Sequence, residues 1–251
     1  MKNPVMHIGI IPARYASTRF PGKPLVDIHG KSMIQRVYEQ CVKSQLDRVV
    51  VATDDQRIID HVQAFGGEVV RTASTHISGT DRIAEAAKNL DLAPDSIVIN
   101  IQGDEPFIDP DDIRKLGKCF DNEATQIATL VKKIDDIETL FNPNSPKVVL
   151  GAKGQALYFS REAIPHLKGI EKELWLSQGT YFQHIGIYGF RYDVLQKITT
   201  LKSSALEQSE GLEQLRWVEN GYAIQTAETQ ADGVAVDSPE DLKRIDDKFF
   251  S

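Results

Sequence analysis

Two cysteines in 251 residues, Cys41 and Cys119, with no CxxC spacing and only six histidines, offer little from which to build a disulfide framework or a Cys/His metal cage. Both fall in segments with helical spacing, and two free thiols in a reduced cytosol are the expectation. No apolar run approaches the ~18 residues of a membrane span. The short apolar stretch at 7–11 is too brief for a signal-peptide core, so a cytoplasmic protein without membrane insertion follows. Positive charge is scarce too: 29 Lys and Arg against 36 Asp and Glu give a net charge of −7. That balance argues against a nucleic acid held on a general basic surface. Two phosphate-binding signatures are missing as well. Gly30-Lys31-Ser32 has Leu25 where a P-loop needs its leading glycine, and no G-x-G-x-x-G follows a strand.

What is present reads as one globular domain, with 41% hydrophobic residues and enough length to bury a core. Short β-branched runs at 8–11, 48–52, 68–71 and 96–101 alternate with helical spacing over 32–44, 58–65 and 79–90. This β-α-β rhythm predicts an α/β fold with a mostly parallel central sheet covered on both faces. Ligands in such sheets bind beyond the C-terminal strand ends. After Asp109 the rhythm loosens: helices are expected over 110–120 and 206–220, strands over 126–131, 147–150, 156–159, 183–191 and 222–226, and a polar excursion over 161–181. Ser238-Pro239-Glu240-Asp241 has the N-cap, first-turn proline and acid of a final helix start.

Three loops at the predicted ligand edge carry unusual chemistry. Residues 12–23, PARYASTRFPGK, hold Arg14, Arg19 and Lys23 and no acid, a local charge reversal in an acidic chain. Arginine offers a planar fork and lysine a point charge to phosphate oxygens, while Gly22 lets the backbone approach. Asp104, beside Gly103 at the tip of the 96–101 strand, can reach a Mg²⁺, and Asp237 follows an apolar run that makes it the best second carboxylate. Asp54 and Asp55 end the 48–52 run and read equally well as turn acids. Taken alone, the basic loop also fits a solvated surface, and both Asp104 and Asp237 also fit turn or capping positions.

These residues resemble those of the 3-deoxy-manno-octulosonate cytidylyltransferases, the CMP-Kdo synthetases, nearly from end to end. The shared stretches are IPARYASTRFPGKP (11–24), VATD (51–54), SGTDR (78–82), QGDEP (102–106), NPNSPKV (142–148), YFSR (158–161), HIGIY (184–188), LEQLR (212–216) and DSPEDL (237–242). The resemblance implies a Rossmann-like three-layer nucleotidyltransferase fold, a nucleotide-binding half at 1–109 and a sugar-acceptor and dimerisation half at 110–251, and a homodimer. It implies transfer of CMP from CTP to an acid sugar with Mg²⁺, giving CMP-Kdo for lipopolysaccharide synthesis. Arg14, Ser17 and Lys23 should hold the CTP phosphates, and Ser78, Gly79, Arg82 and Gln102 the cytidine. Asp104 and Asp237 should bind Mg²⁺, with Lys23, Arg14 and both aspartates serving catalysis. Arg161, His184, Tyr188, Glu213 and Gln214 should hold the sugar. On position alone, His184 and Tyr188 also fit packed strand residues, Arg161 a surface ion pair, and Glu213 and Gln214 a helix surface. The same chemistry on a variant eight-carbon acid sugar, such as an 8-amino form, fits these motifs equally, while a UTP-dependent enzyme acting on a sugar 1-phosphate, and a nucleotide-binding module without catalysis, share the first half of the argument. Two departures stand out: Gly211 inside a predicted helix, where glycine costs ~1 kcal/mol relative to alanine, and Gly233-Val-Ala-Val before Asp237, where the family more often has an Ile-Gly-like pair.

Overall fold

The computed structural model describes residues 5–16, 20–231, 233, 235–242 and 245. In chain order its elements are β1 (His7–Ala13), β2 (Asp27–Ile28), β3 (Lys31–Ser32), α1 (Met33–Lys43), β4 (Arg48–Thr53), α2 (Gln56–Ala64), β5 (Glu68–Arg71), α3 (Gly79–Asn89) and β6 (Ile97–Asn100). There follow α4 (Pro110–Lys118), β7 (Ile127–Lys133), α5 (Ile137–Phe141), β8 (Lys147–Leu150), β9 (Gln155–Ser160), α6 (Trp175–Gln178), β10 (Phe182–Arg191), α7 (Tyr192–Ile198), α8 (Ala205–Glu210), α9 (Gln214–Glu219), β11 (Ile224–Thr229) and α10 (Pro239–Leu242).

Nine strands form one sheet in the order β5-β4-β1-β6-β10-β7-β11-β9-β8. The first four run parallel. Alternate residues of β6 face opposite cores, Val98 one way and Ile97 and Ile99 the other, as the continuous apolar run of a doubly covered strand requires. Helices α3, α7 and α9 pack Ile83, Leu195 and Trp217 on one face, and α1, α2 and α4 pack Val37, Ile58 and Ile113 on the other. The layers are therefore α/β/α. Helix starts follow their caps: Ser32 accepts from the Gln35 N–H, Asp55 from the Arg57 N–H, and Ser78 and Asp81 form a reciprocal capping box.

The second half departs from a mostly parallel sheet. Strand β10 lies antiparallel to both β6 and β7, and β9 lies antiparallel to β8 and β11. Only four residues, 151–154, join β8 to β9. A connection that short makes a hairpin, because a parallel pair needs a crossover of a dozen residues or more. The sheet is mixed.

The expected helix over 206–220 is two helices, α8 and α9. Gly211 separates them at φ +62°, and its N–H donates to the Glu207 carbonyl at 2.7 Å. It is the left-handed stop of α8, a conformation glycine adopts without strain, so no mid-helix cost arises. The 161–181 segment is not merely polar: Trp175 and Tyr181 stack there over Ile134 and Leu140 in a satellite core. Among the described residues no helix is long and apolar enough to cross a membrane.

Candidate active site

The C-terminal ends of β1, β4 and β6 share one edge, and the site is built on it. Beyond β1 the chain loops back, closed by the Gly22 N–H donating to the Tyr15 carbonyl at 2.9 Å. The Arg57 guanidinium covers the Tyr15 ring, 3.2 Å from its centroid. Arg14 is exposed and donates from Nη2 to the Ile77 carbonyl at 2.6 Å, which ties this loop to the start of α3. Ser78 and Gly79 stand half-exposed at that start. Ser17 and Arg19 lie outside the described residues.

Lys23 joins the two predicted carboxylates. Its Nζ lies 2.9 Å from Asp104 Oδ2 and 3.2 Å from Asp237 Oδ1. Three features bring them together. Gly103 runs so close to β1 that a Cβ there would sit 2.9 Å from the Pro12 carbonyl oxygen, so only glycine lets the β6 tip approach. The Val236 N–H donates to the Asp104 carbonyl at 2.9 Å, and Val236 is buried beside Ile28 and Met33. Finally, the Asp241 carboxylate accepts from the N–H groups of Asp237 and Ser238, which fixes the turn bearing Asp237. Gln102 is also held here, donating to the Gly186 carbonyl at 3.2 Å. The neighbouring Glu105 carboxyl is pushed up to about 7 by burial, with Asp104 and Asp112 adding to the shift.

Arg82 is placed differently from expectation. It is 1% exposed, with Nη1 2.7 Å from Thr72 Oγ1 and 2.8 Å from Asp54 Oδ1. Burial lowers its pKa and Asp54 opposes that shift. A buried charge needs its partner; Nη1 has Asp54, while Nε is left without one. This also settles the two acids after β4: Asp54 pairs with Arg82, and Asp55 caps α2.

On the acceptor side, Arg161 is a staple between loops. Nε donates to the Glu210 carbonyl at 2.6 Å, Nη1 to Pro143 at 2.9 Å and Nη2 to Gly211 at 3.3 Å. Of the five guanidinium N–H groups two remain for a ligand. Beneath it, Lys147 is fully buried and donates to the Asn142 and Arg161 carbonyls at 2.9 and 2.6 Å. His184 is buried against Phe159 and Tyr188, and its Nε2 meets Thr129 Oγ1 at 3.1 Å. Burial pulls its pKa down to about 3, so the ring is neutral near pH 7 and offers hydrogen bonds rather than charge. Glu213 accepts from the Thr80 hydroxyl at 2.7 Å, which links α9 to the first turn of α3 and thus the two halves of the chain. Gln214 is buried beside it. Sequence reasoning missed Thr129, Lys147 and Asn100. For Asn100 a signal existed: it is the polar residue in the otherwise apolar run Ile97–Asn100 and Ile101.

This arrangement, two aspartates meeting a lysine at a cationic strand edge, suits transfer of a nucleotidyl group to a polar acceptor. Residues 8–228 match the model of a family described as cytidylyltransferase. The chain belongs to the 3-deoxy-manno-octulosonate cytidylyltransferase family. It is 56% identical to the member from Parabacteroides distasonis over 94% of this chain and 95% of that one. The member from Cytophaga hutchinsonii is 54% identical over 98% of both chains. Among solved structures, a CMP:2-keto-3-deoxy-manno-octonic acid synthetase complexed with CTP superposes with a TM-score of 0.88 at 43% identity, covering 95% of this chain and 96% of that one. A 4-diphosphocytidyl-2C-methyl-D-erythritol synthase, at 13% identity and a TM-score of 0.64 over 97% of each chain, shares the fold alone. The α/β nucleotidyltransferase fold of the chain is that of these proteins.

Proposed function

We propose that this protein transfers CMP from CTP to the anomeric hydroxyl of 3-deoxy-D-manno-octulosonate and releases pyrophosphate. The observation that carries this reading is the convergence of Asp104 and Asp237 on the single ammonium of Lys23, at the edge shared with Arg14 and the start of α3. Relatives 54–56% identical over nearly the whole chain bear the name of that activity. In the reaction the acceptor oxygen bonds to the α-phosphorus and the bond from that phosphorus to the α–β bridging oxygen breaks. The hydroxyl proton passes to solvent, and pyrophosphate leaves with the electron pair. Lys23 and Arg14 stabilise negative charge on the phosphates, and the remainder is in-line positioning.

Mg²⁺ belongs to the same proposal. Asp104 and Asp237 fit it, because their oxygens point at one cationic position, 2.9 and 3.2 Å from Lys23 Nζ. Two carboxylates are the usual protein share for a Mg²⁺ that takes its other ligands from phosphate and water. Among the described residues no group of three His, Cys, Asp or Glu forms a closed metal cage. Bound there, the ion would supply Lewis-acid stabilisation of phosphoryl oxygens. The homodimer completes the reading: Ile137, Phe141, Leu157 and Leu174 of the second half are large apolar side chains left exposed. A monomeric mass by light scattering would remove that part.

The deciding experiment is pyrophosphate release with CTP, Mg²⁺ and 3-deoxy-manno-octulosonate, beside UTP with a sugar 1-phosphate. Release in the first mixture alone is expected. Release in the second alone overturns the acceptor, and binding of CTP with silence in both leaves a module without catalysis.

A further inference from the structure

Asn100 ends β6, inside the sheet, where its neighbours Val98, Ile99 and Ile101 are apolar and fully buried. It is 3% exposed, and its side-chain Oδ1 has no hydrogen-bond partner. A buried carbonyl left unpaired destabilises a fold, and an apolar side chain of the same size would not. The Asn100 Oδ1 therefore adds nothing to the stability of the strand.

The register shows what surrounds it. Asn100 lies directly opposite Tyr188 on β10, and residues opposite one another project from the same sheet face, with Cβ atoms about 5 Å apart. Tyr188 is 7% exposed, and its hydroxyl has only Thr129 within hydrogen-bonding reach. The neighbouring Thr129 hydroxyl is turned to the Ile185 and Ile187 carbonyls and to the His184 ring. A second orphan is Gln214 at the start of α9, 5% exposed, with Nε2 unpaired. The Glu213 carboxylate, its chain neighbour, lies within electrostatic reach of the Tyr188 hydroxyl. One carbonyl acceptor and one amide donor thus stand without partners, the first opposite Tyr188 and the second next in the chain to Glu213, whose charge reaches the same tyrosine.

We propose that Asn100 is an acceptor-contacting residue, its Oδ1 receiving a hydroxyl of a polyhydroxylated acid beside the Tyr188 hydroxyl and the Gln214 amide. This rests on the reading of the protein as a cytidylyltransferase that acts on an acid sugar. Such a set matches a polyol, whose recognition needs paired neutral donors and acceptors, and a site built to bond a hydroxyl discriminates strongly against analogues that lack it.

The test is Asn100→Leu, read in three ways. The KM for 3-deoxy-manno-octulosonate should rise at least ~10-fold, the worth of one hydrogen bond. The KM for CTP should stay within about twofold, and Tm should hold or rise because an orphan group has been removed. An unchanged acceptor KM in a variant beside an active wild type overturns the inference alone. A lowered Tm with both KM values raised alike marks a structural asparagine and also overturns it. A wild-type protein that neither turns over nor binds the sugar by calorimetry sinks both readings. Should Asn100→Leu fail to fold, Asn100→Ser is judged by the same pair of KM values.

Discussion

On the phosphate side of the cleft, charged groups stand at the rim and pair with one another: Lys23 with Asp104 and Asp237, and Arg57 with Asp55. On the acceptor side the polar groups lie inside. His184 is neutral, Tyr188 and Gln214 are buried, and the cations Arg161 and Lys147 are spent largely on backbone carbonyls. On the proposed function, the difference matches what each side would hold. A triphosphate is gripped by charge that can rearrange in water, whereas a neutral polyol surface needs fixed donors and acceptors from which water is excluded.

Four changes would break or sharpen this contrast. Asp104→Asn removes a rim charge without altering shape, and kcat should fall at least ~100-fold while circular dichroism stays that of the wild type; near-normal turnover would falsify the metal assignment. Gly103→Ala puts a methyl 2.9 Å from the Pro12 carbonyl. The β6 tip must then shift, and a displacement of that kind should lower kcat by ~10-fold or more, with steady-state assays deciding. The acceptor side should instead betray itself through acid. The His184 pKa is about 3 when folded, against 6.5 as its reference. Between those values the unfolded chain binds a proton that the folded chain does not, so stability is full above about pH 6.5 and falls as pH drops. The loss from this group should reach ~1.4 kcal/mol per pH unit. Urea midpoints at pH 7, 6 and 5 should show this slope, and His184→Gln should flatten it; an identical slope in the variant would count against a buried neutral ring. The smallest effect belongs to Gly211→Ala, which forces a side chain onto φ +62° and should cost about 1 kcal/mol, seen as a Tm lowered by a few degrees.

The same contrast governs what the sequence could disclose. The gathering of Arg14, Lys23 and Asp104 at one strand edge was legible because a run of cations without an acid, and an Asp after glycine at a strand tip, are local patterns. The parallel strands β1, β4, β5 and β6 were legible from alternation with helices. Burial and pairing are not local. Arg82 in the first turn of α3 reads alike whether it faces a nucleotide or, as it does, Asp54 below. The reversal of β10 between β6 and β7 depends on distant strands, so the sheet was expected to be more parallel than it is. Gly211 looked like a flaw because the helix was drawn through it, and it becomes a stop signal once α8 and α9 are separated.

The hydrogen bond from the Val236 N–H to the Asp104 carbonyl has a consequence for biosynthesis. Among the described residues, the nine strands of the sheet all lie at or before Thr229. A chain interrupted just after that point, by a premature stop codon or a stalled ribosome, would contain every described strand yet lack Asp237, one of the two acids that meet at Lys23. On the proposed reading, competence for chemistry thus waits on a segment made after those strands.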